Sequence, residues 1–320
     1  MNMKKLKMAY KFLKRIKLIF SLNVNAVKYV GLETWMHLKY AAPNDELISH
    51  SLNGSAISTI ALKDIHRIEK GLSLNDAKRP FGQDLVKRML IFKDYSRKSP
   101  SELKLSVRAV KALEALEKWN AEGDRSLGEL TTLTSPYSGA MDEVGWTEFF
   151  QSRRSIRNYS DVWPAPDSLE ILKVLELALN TPSVCNRQSW KVWYLSEKSK
   201  VNKVLSLQNG NSGFSNLNAL LIFGVDRRKF TLGSERNQHW IDGGLFAMSF
   251  IWALHSRGLG SCLLNWSVAP ERTKELRELI GAEEYYEFIT LCAVGRFDKE
   301  SLSAISPRKA PTEYITFFTD

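Results

Sequence analysis

Hydrophobic positions along this chain follow two different rhythms. Over the first 125 residues they recur every three or four positions, the period of a helix with one buried face. Leu6, Tyr10, Leu13 and Phe20 do so between lysines over residues 4–20, and Ile57, Ile60, Ala61, Ile65 and Ile68 do so over 55–70, where Gly71 reads as the stop. The pattern returns at Leu85, Leu90, Ile91 and Tyr95 over 83–96. It returns again at Leu105, Val110, Leu113, Leu116 and Trp119 over 103–122, ending at Gly123. These runs predict an all-helical N-terminal region. Residues 123–145 are rich in Gly, Ser, Thr and Asp and read as a linker.

After the linker, short apolar runs alternate with helical patterns. Helices are expected over 146–151, from Asp167 or Ser168 to 179, over 201–207, over 235–257 with Gly258 as the stop, and over 270–280 with Pro270 in the first turn. Strands are expected over 190–195, 218–225, 261–264 and 288–294. Such alternation predicts an α+β or α/β arrangement. The expected division is a helical region over 1–140 and a second domain over 141–320, with no internal repeat.

Composition narrows the field. With 320 residues, 44% hydrophobic and 25% charged, the chain has the profile of an ordinary globular protein. Its net charge of +10 admits nucleic acid, an anionic membrane surface or anionic small molecules as partners. Residues 4–20 hold seven Lys and Arg and no acid, so that helix either packs on its own domain or lies on anionic lipid. Its aromatic residues sit at core spacing and no reading motif is present, so a nucleic-acid partner is not expected. Cys185, Cys262 and Cys292 form no CxxC pair and lie in or beside apolar runs, which favours free thiols in a reducing compartment. The five histidines show no HExxH spacing, so no metal site is expected. The longest apolar stretch, 243–254, is too short to span a bilayer, and no clean signal sequence is visible. A cytoplasmic protein is expected, with residues 4–20 as a candidate peripheral contact with the inner membrane face.

Three constellations carry candidate chemistry. Arg153-Arg154-Ser155-Ile156-Arg157 puts three guanidiniums and a hydroxyl in five residues, and Arg308 lies near the C-terminus. A phosphate needs converging donors and positive charge, which arginine forks and a serine supply; read alone, the segment is equally a solvated basic turn. Pro182-Ser183-Val184-Cys185-Asn186-Arg187-Gln188 follows a helix end. Asn186 and Gln188 can share a face and offer donors and acceptors to the edge of a pyrimidine-like ring, although a polar connector has the same composition. Gly258-Leu259-Gly260-Ser261-Cys262-Leu263-Leu264-Asn265 follows the long helix. Its GxG is not a dinucleotide fingerprint, which follows a strand and opens a helix; an apolar strand end against a ring face, or a plain buried strand, fits better.

The order of these motifs, with Ala293-Val294-Gly295-Arg296 and Pro307-Arg308-Lys309 after them, resembles the nitroreductase family over residues 145–310. The resemblance implies a mixed sheet flanked by helices, a homodimer, and FMN at the dimer interface. It implies that Arg153, Arg154, Ser155 and Arg308 hold the FMN phosphate and that Arg157 sits near flavin N1 and O2. Pro182, Ser183, Asn186 and Gln188 would reach the ring from the partner subunit. Leu263 and Leu264 would cover one ring face, and the Asn265 N–H would approach N5. The activity implied is oxidoreduction of a small-molecule substrate, with NAD(P)H as hydride donor in a ping-pong cycle and no side-chain nucleophile. Three positions depart from the family pattern: Val184, Ser189 and the Asn265-Trp266 pair, the last on the substrate side of N5. His66-Arg67-Ile68-Glu69-Lys70-Gly71-Leu72 more loosely resembles a motif of nitroreductase-like proteins linked to polysaccharide biosynthesis. His66 and Glu69, one turn apart, are a candidate acid/base pair or a plain helix-surface contact. A catalytically silent dimer serving as an interaction module at a membrane surface is the alternative from another function class.

Overall fold

The computed structural model describes residues 11–15, 24–42, 54–96, 103–126, 129–130, 139, 141–160, 162–210, 214, 217–298 and 301–318. The basic helix expected over 4–20 lies outside these except for residues 11–15, which are helical and exposed. Much of the expected linker lies outside them as well.

Three helices form the first core: α2 (Gly54–Ser73), α3 (Gln83–Ser96) and α4 (Leu103–Glu122). Their periodic apolar residues meet as expected, with Ile65, Ile68, Leu85, Met89, Phe92 and Leu116 at most 1% exposed. Gly123 ends α4 in the left-handed region at φ 80°, where a side chain would be strained. Gly71 does not end α2, which runs on to Ser73. Its lack of a side chain serves packing instead: a Cβ there would sit 2.6 Å from the Phe81 ring. Ahead of this bundle lies α1 (Val24–Tyr40), absent from the sequence expectations. Its polar and apolar residues mix without a clean face, and Gly31 interrupts the run.

The second part is a four-stranded sheet in the order β1-β2-β4-β3, with β1 Trp190–Leu195, β2 Ala219–Asp226, β3 Gly260–Asn265 and β4 Tyr286–Gly295. All its strand pairs are antiparallel, and a parallel bridge, Ser155 to Ser261, extends the β3 edge. Every residue of β2 is buried, which explains its near-continuous apolar sequence. One face packs against α7 (Lys198–Leu207) and α9 (Pro270–Ile280) through Val201, Val204, Leu276, Ile222 and Leu291. The other packs against α6 (Ser168–Ala178) and α8 (Gln238–Ser256) through Val174, Phe246, Phe250, Phe223 and Cys292. The arrangement is α+β, a helix–sheet–helix sandwich preceded by helices. Local signals set several ends: Asp167 caps α6 by accepting from the Glu170 N–H, and Pro270 opens α9.

The two parts touch. The hydroxyl of Thr59 on α2 donates to the Arg228 carbonyl at 2.8 Å. Helix α2 also lies against the turn Val184–Asn186. Among the described residues, no helix is long and apolar enough to cross a membrane.

Candidate functional site

Helix α5 (Glu143–Ser152) delivers the first constellation. It is anchored at its end, where Ser152 Oγ and the Phe149 carbonyl each lie 3.0 Å from His255 Nε2 on the last turn of α8. The chain then extends through Arg153 and pairs with β3, the Ile156 N–H donating to the Ser261 carbonyl at 3.0 Å. This pairing sets Ser155 beside Cys262. Burial raises the Cys262 thiol pKa, while Arg157, Ser155 and Arg153 pull it the other way. Arg153, Ser155, Arg157 and Cys262 therefore share one corner.

The C-terminal segment returns to this corner. The Ser160 N–H donates to the Arg296 carbonyl at 3.0 Å, and the Asn158 amide donates to the Leu302 carbonyl at 3.4 Å. The tail then brings Arg308 near Arg153. Burial first, then Arg308, then Arg154 hold the Arg153 guanidinium below the usual arginine pKa. Arg154 folds back to donate to the carbonyls of Gln151 and Arg153. Arg308 donates to the Ser306 carbonyl, and Arg157 donates weakly to the Ser155 carbonyl. Among the described residues, none of these four arginines pairs with a carboxylate. The half-buried Arg153 and the exposed Arg154, Arg157 and Arg308 thus gather positive charge without an acid, an arrangement suited to an anion.

The second constellation is a strained loop. Cys185, Asn186 and Gln188 each have φ of 49°, an uncommon conformation for residues other than glycine. Side chains missed by the sequence reading hold it. The Val184 N–H donates to the Asp242 carboxylate at 3.2 Å, and the buried Arg187 donates to Glu235 at 2.6 Å. The Gln188 N–H donates to Ser183 Oγ at 3.0 Å. Gln188 Nε2 donates to Asn186 Oδ1 at 2.9 Å, which leaves an amide donor on Asn186 and an amide oxygen on Gln188 for a ligand. Pro182 is exposed beside them.

These two constellations do not meet within one chain. The loop is tied to Asp242 near the start of α8, and the arginine corner is tied to His255 at its end. Thirteen residues of helix (255 minus 242) separate them by about 20 Å.

The third constellation alternates as a strand must. Leu263 is 43% exposed, whereas Leu264 points the other way into the core at 5%. Only Leu263 is thus available to cover a ring; the Leu264 side chain is committed to packing with Leu276 and Leu291. Asn265 is exposed at the strand end, and its carbonyl accepts from Gln208 at 3.0 Å. In the helical region, His66 lies 3.8 Å from Glu69, whose carboxylate is engaged by Arg108 at 2.9 Å. Among the described residues, no cluster of His, Cys, Asp and Glu is arranged to hold a metal.

Residues 150–212 match the family model described as "Nitroreductase family". The matched stretch runs from the arginine corner through the strained loop and β1. Over that stretch the chain is similar to the nitroreductase family. The chain is 27% identical over 145 residues to an Archaeoglobus fulgidus protein provisionally named NADH dehydrogenase/NAD(P)H nitroreductase, a match covering 45% of this chain and 80% of that protein. Among solved structures, a provisional Bacillus subtilis nitroreductase aligns with a TM-score of 0.49 at 16% identity, covering 55% of this chain and 100% of that one. An FMN-dependent nitroreductase of Clostridium difficile aligns at 0.46 with 21% identity, covering 54% and 99%. A provisional nitroreductase of Desulfovibrio desulfuricans, solved in complex with FMN, aligns at 0.46 with 17% identity, covering 57% and 99%. The matched stretch includes Arg153–Arg157 and the strained loop, while Leu263, Arg308 and the bundle α2–α4 lie outside it.

Proposed function

We propose that the protein is an FMN-dependent oxidoreductase of the nitroreductase type. The observation that carries this reading is the half-buried Arg153 crowded by Arg308 with no carboxylate partner among the described residues. Such a corner is destabilised by its own charge until an anion arrives, and Ser155 supplies a neutral donor beside it. The residues fit a flavin phosphate: Arg153, Arg154, Ser155 and Arg308 would hold it. Leu263 would lie along the ring, and Arg157 would stand beside the edge where negative charge gathers on reduction. When bound, FMN supplies hydride chemistry between a nicotinamide donor and an acceptor, and the protein supplies position and field.

The ring-edge groups would come from a second copy. Ile241, Leu245 and Met248 form an exposed apolar stripe on α8, at 52%, 46% and 38%. The mid-helix Gly244 beside them has nothing within 4 Å of where a Cβ would stand. Two α8 helices crossing antiparallel on this stripe would bring the Asn186 loop of one chain to the Arg153 corner of the other. That geometry answers the ~20 Å gap along the helix within each chain.

The test is spectroscopic. Purified full-length protein is expected to take up one FMN per chain and show bound-flavin absorbance. A colourless protein that takes up no added FMN would leave only a nitroreductase-fold interaction module. Mixing tests the shared site. Arg153→Ala and Asn186→Ala chains, each defective alone, are expected to regain FMN binding at one site per mixed dimer. No recovery on subunit exchange would contradict a site built from two chains.

A further inference from the structure

A cavity of about 720 Å³ opens between α1 and the sheet domain, away from the arginine corner. That is ample room for a small organic ligand. Its apolar wall includes Val30 and Met36 of α1, Trp240 at the start of α8, and Trp266. Its polar wall carries Arg227, Lys274 and Arg277, with Glu33, Glu284 and Glu287 among them.

The carboxylates are already answered. Glu33 pairs with Arg236 at 3.3 Å, Glu284 with Lys39 at 2.8 Å, and Glu287 with Arg227 at 2.8 Å. The cations are matched only in part: Arg227 spends its Nε and Nη2 on Glu287. Arg277 donates to the carbonyls of Glu283 and Tyr286 and has no carboxylate within pairing distance among the described residues. Lys274 has only Glu278, at 3.8 Å, with 79% of its side chain exposed at the rim. Arg227 is 2% exposed, and its Nη1 has no hydrogen-bond partner among the described residues. A buried guanidinium nitrogen without an acceptor costs free energy until one is supplied. The two buried imidazoles nearby cannot help as they stand, since His37 Nε2 and His239 Nε2 are also unpartnered.

We propose that this cavity binds an organic anion, its phosphate-like or carboxylate-like head on Arg227 and Arg277 and its aromatic or aliphatic body against Trp240, Trp266 and α1. An apolar pocket with a few convergent charged donors is the form such sites take. The cavity wall begins at Trp266, one residue past Asn265. On the flavin reading Asn265 stands beside the reacting ring atom, so the occupant would be the reductase's substrate. That last identification rests on the flavin reading; the binding does not.

Calorimetric titration of the full-length protein, as purified, with 1-naphthyl phosphate tests the proposal, with inorganic phosphate and 1-naphthol as half-ligands. The intact probe is expected to bind at least about tenfold tighter than either half. Arg277→Gln keeps a donor for the carbonyls but removes the charge, and should weaken the probe roughly 10- to 100-fold. Lys274→Glu alters only an exposed rim residue, so folding is not at stake, and should weaken it roughly two- to tenfold. Probe binding no tighter than that of the halves, or unchanged in both variants, overturns the site. Flavin uptake read on the same samples separates the two ideas. Probe binding with these losses in a protein that takes no FMN upholds the cavity and sinks the flavin reading. FMN uptake without probe binding does the reverse.

Discussion

The arginines of the helical bundle and those of the α5–β3 corner live by opposite rules. On the helices α2–α4 each is answered: Arg88 makes a bidentate pair with the buried Asp64 at 2.7 and 2.8 Å, Arg108 meets Glu69 at 2.9 Å, and Arg67 meets Asp84 at 3.3 Å. In the corner, Arg153 is crowded by Arg308 and Arg154, and no acid pairs with any of them among the described residues. Pairing makes the bundle self-sufficient, whereas on the proposed function the corner is complete only with an anion. On that reading the difference separates cations that hold the fold from cations that wait for a ligand.

Breaking the first rule should have the largest effect. Arg88→Ala leaves the Asp64 carboxylate buried without its main partner and should cost about 3–5 kcal/mol of stability. Chemical denaturation reads the loss, and FMN affinity of the remaining folded protein should not change. Breaking the second rule should do the opposite. Arg153→Ala relieves repulsion, so stability should hold or rise, while FMN affinity falls by about 1.5–3 kcal/mol, roughly 10- to 100-fold. A variant that loses stability and keeps its FMN affinity would place Arg153 with the structural arginines.

A third test uses the buried imidazole between these extremes. Burial first, then Arg227 and His37, push His239 down from 6.5 to about 3, against a hydrogen bond to the Arg236 carbonyl. Below pH 6.5 the unfolded chain takes up a proton that the folded one refuses. Stability should therefore fall as pH drops from 6.5 towards 3, by at most about 1.4 kcal/mol per unit. His239→Gln should flatten that part of the stability–pH curve, and an unchanged slope would mean that His239 is protonated in the fold. The smallest effect is expected at the exposed Arg157. If it stabilises charge on the reduced ring, Arg157→Ala should lower the flavin midpoint potential by about 20 mV, or about 1 kcal/mol for two electrons. An unmoved potential would remove that role.

What could be read along the chain was what is local. The caps at Asp167, Pro270, Gly123 and Gly258 announce themselves because the chemistry of a helix end lies within a turn of sequence. The corner residues Arg153, Ser155 and Arg157 were visible for the same reason. Helix α1 was not, since its faces are mixed. Gly71 misled because the requirement it meets comes from Phe81, not from its own backbone. The nearness of Arg308 to Arg153 depends on a tail fastened at Asn158 and Ser160, and no spacing encodes that. The Arg187–Glu235 pair and the Asp242 carboxylate that hold the strained loop are likewise long-range contacts. The cavity beneath α1 draws its walls from five separate stretches and leaves no linear signature.

Comparing FMN with riboflavin tests the waiting-cation account most directly, because the two differ only in the phosphate. Wild-type protein should bind FMN at least about 100-fold tighter, and Arg153→Ala should shrink most of that gap. Equal affinity for both in the wild type, or a gap that survives in Arg153→Ala, would contradict it.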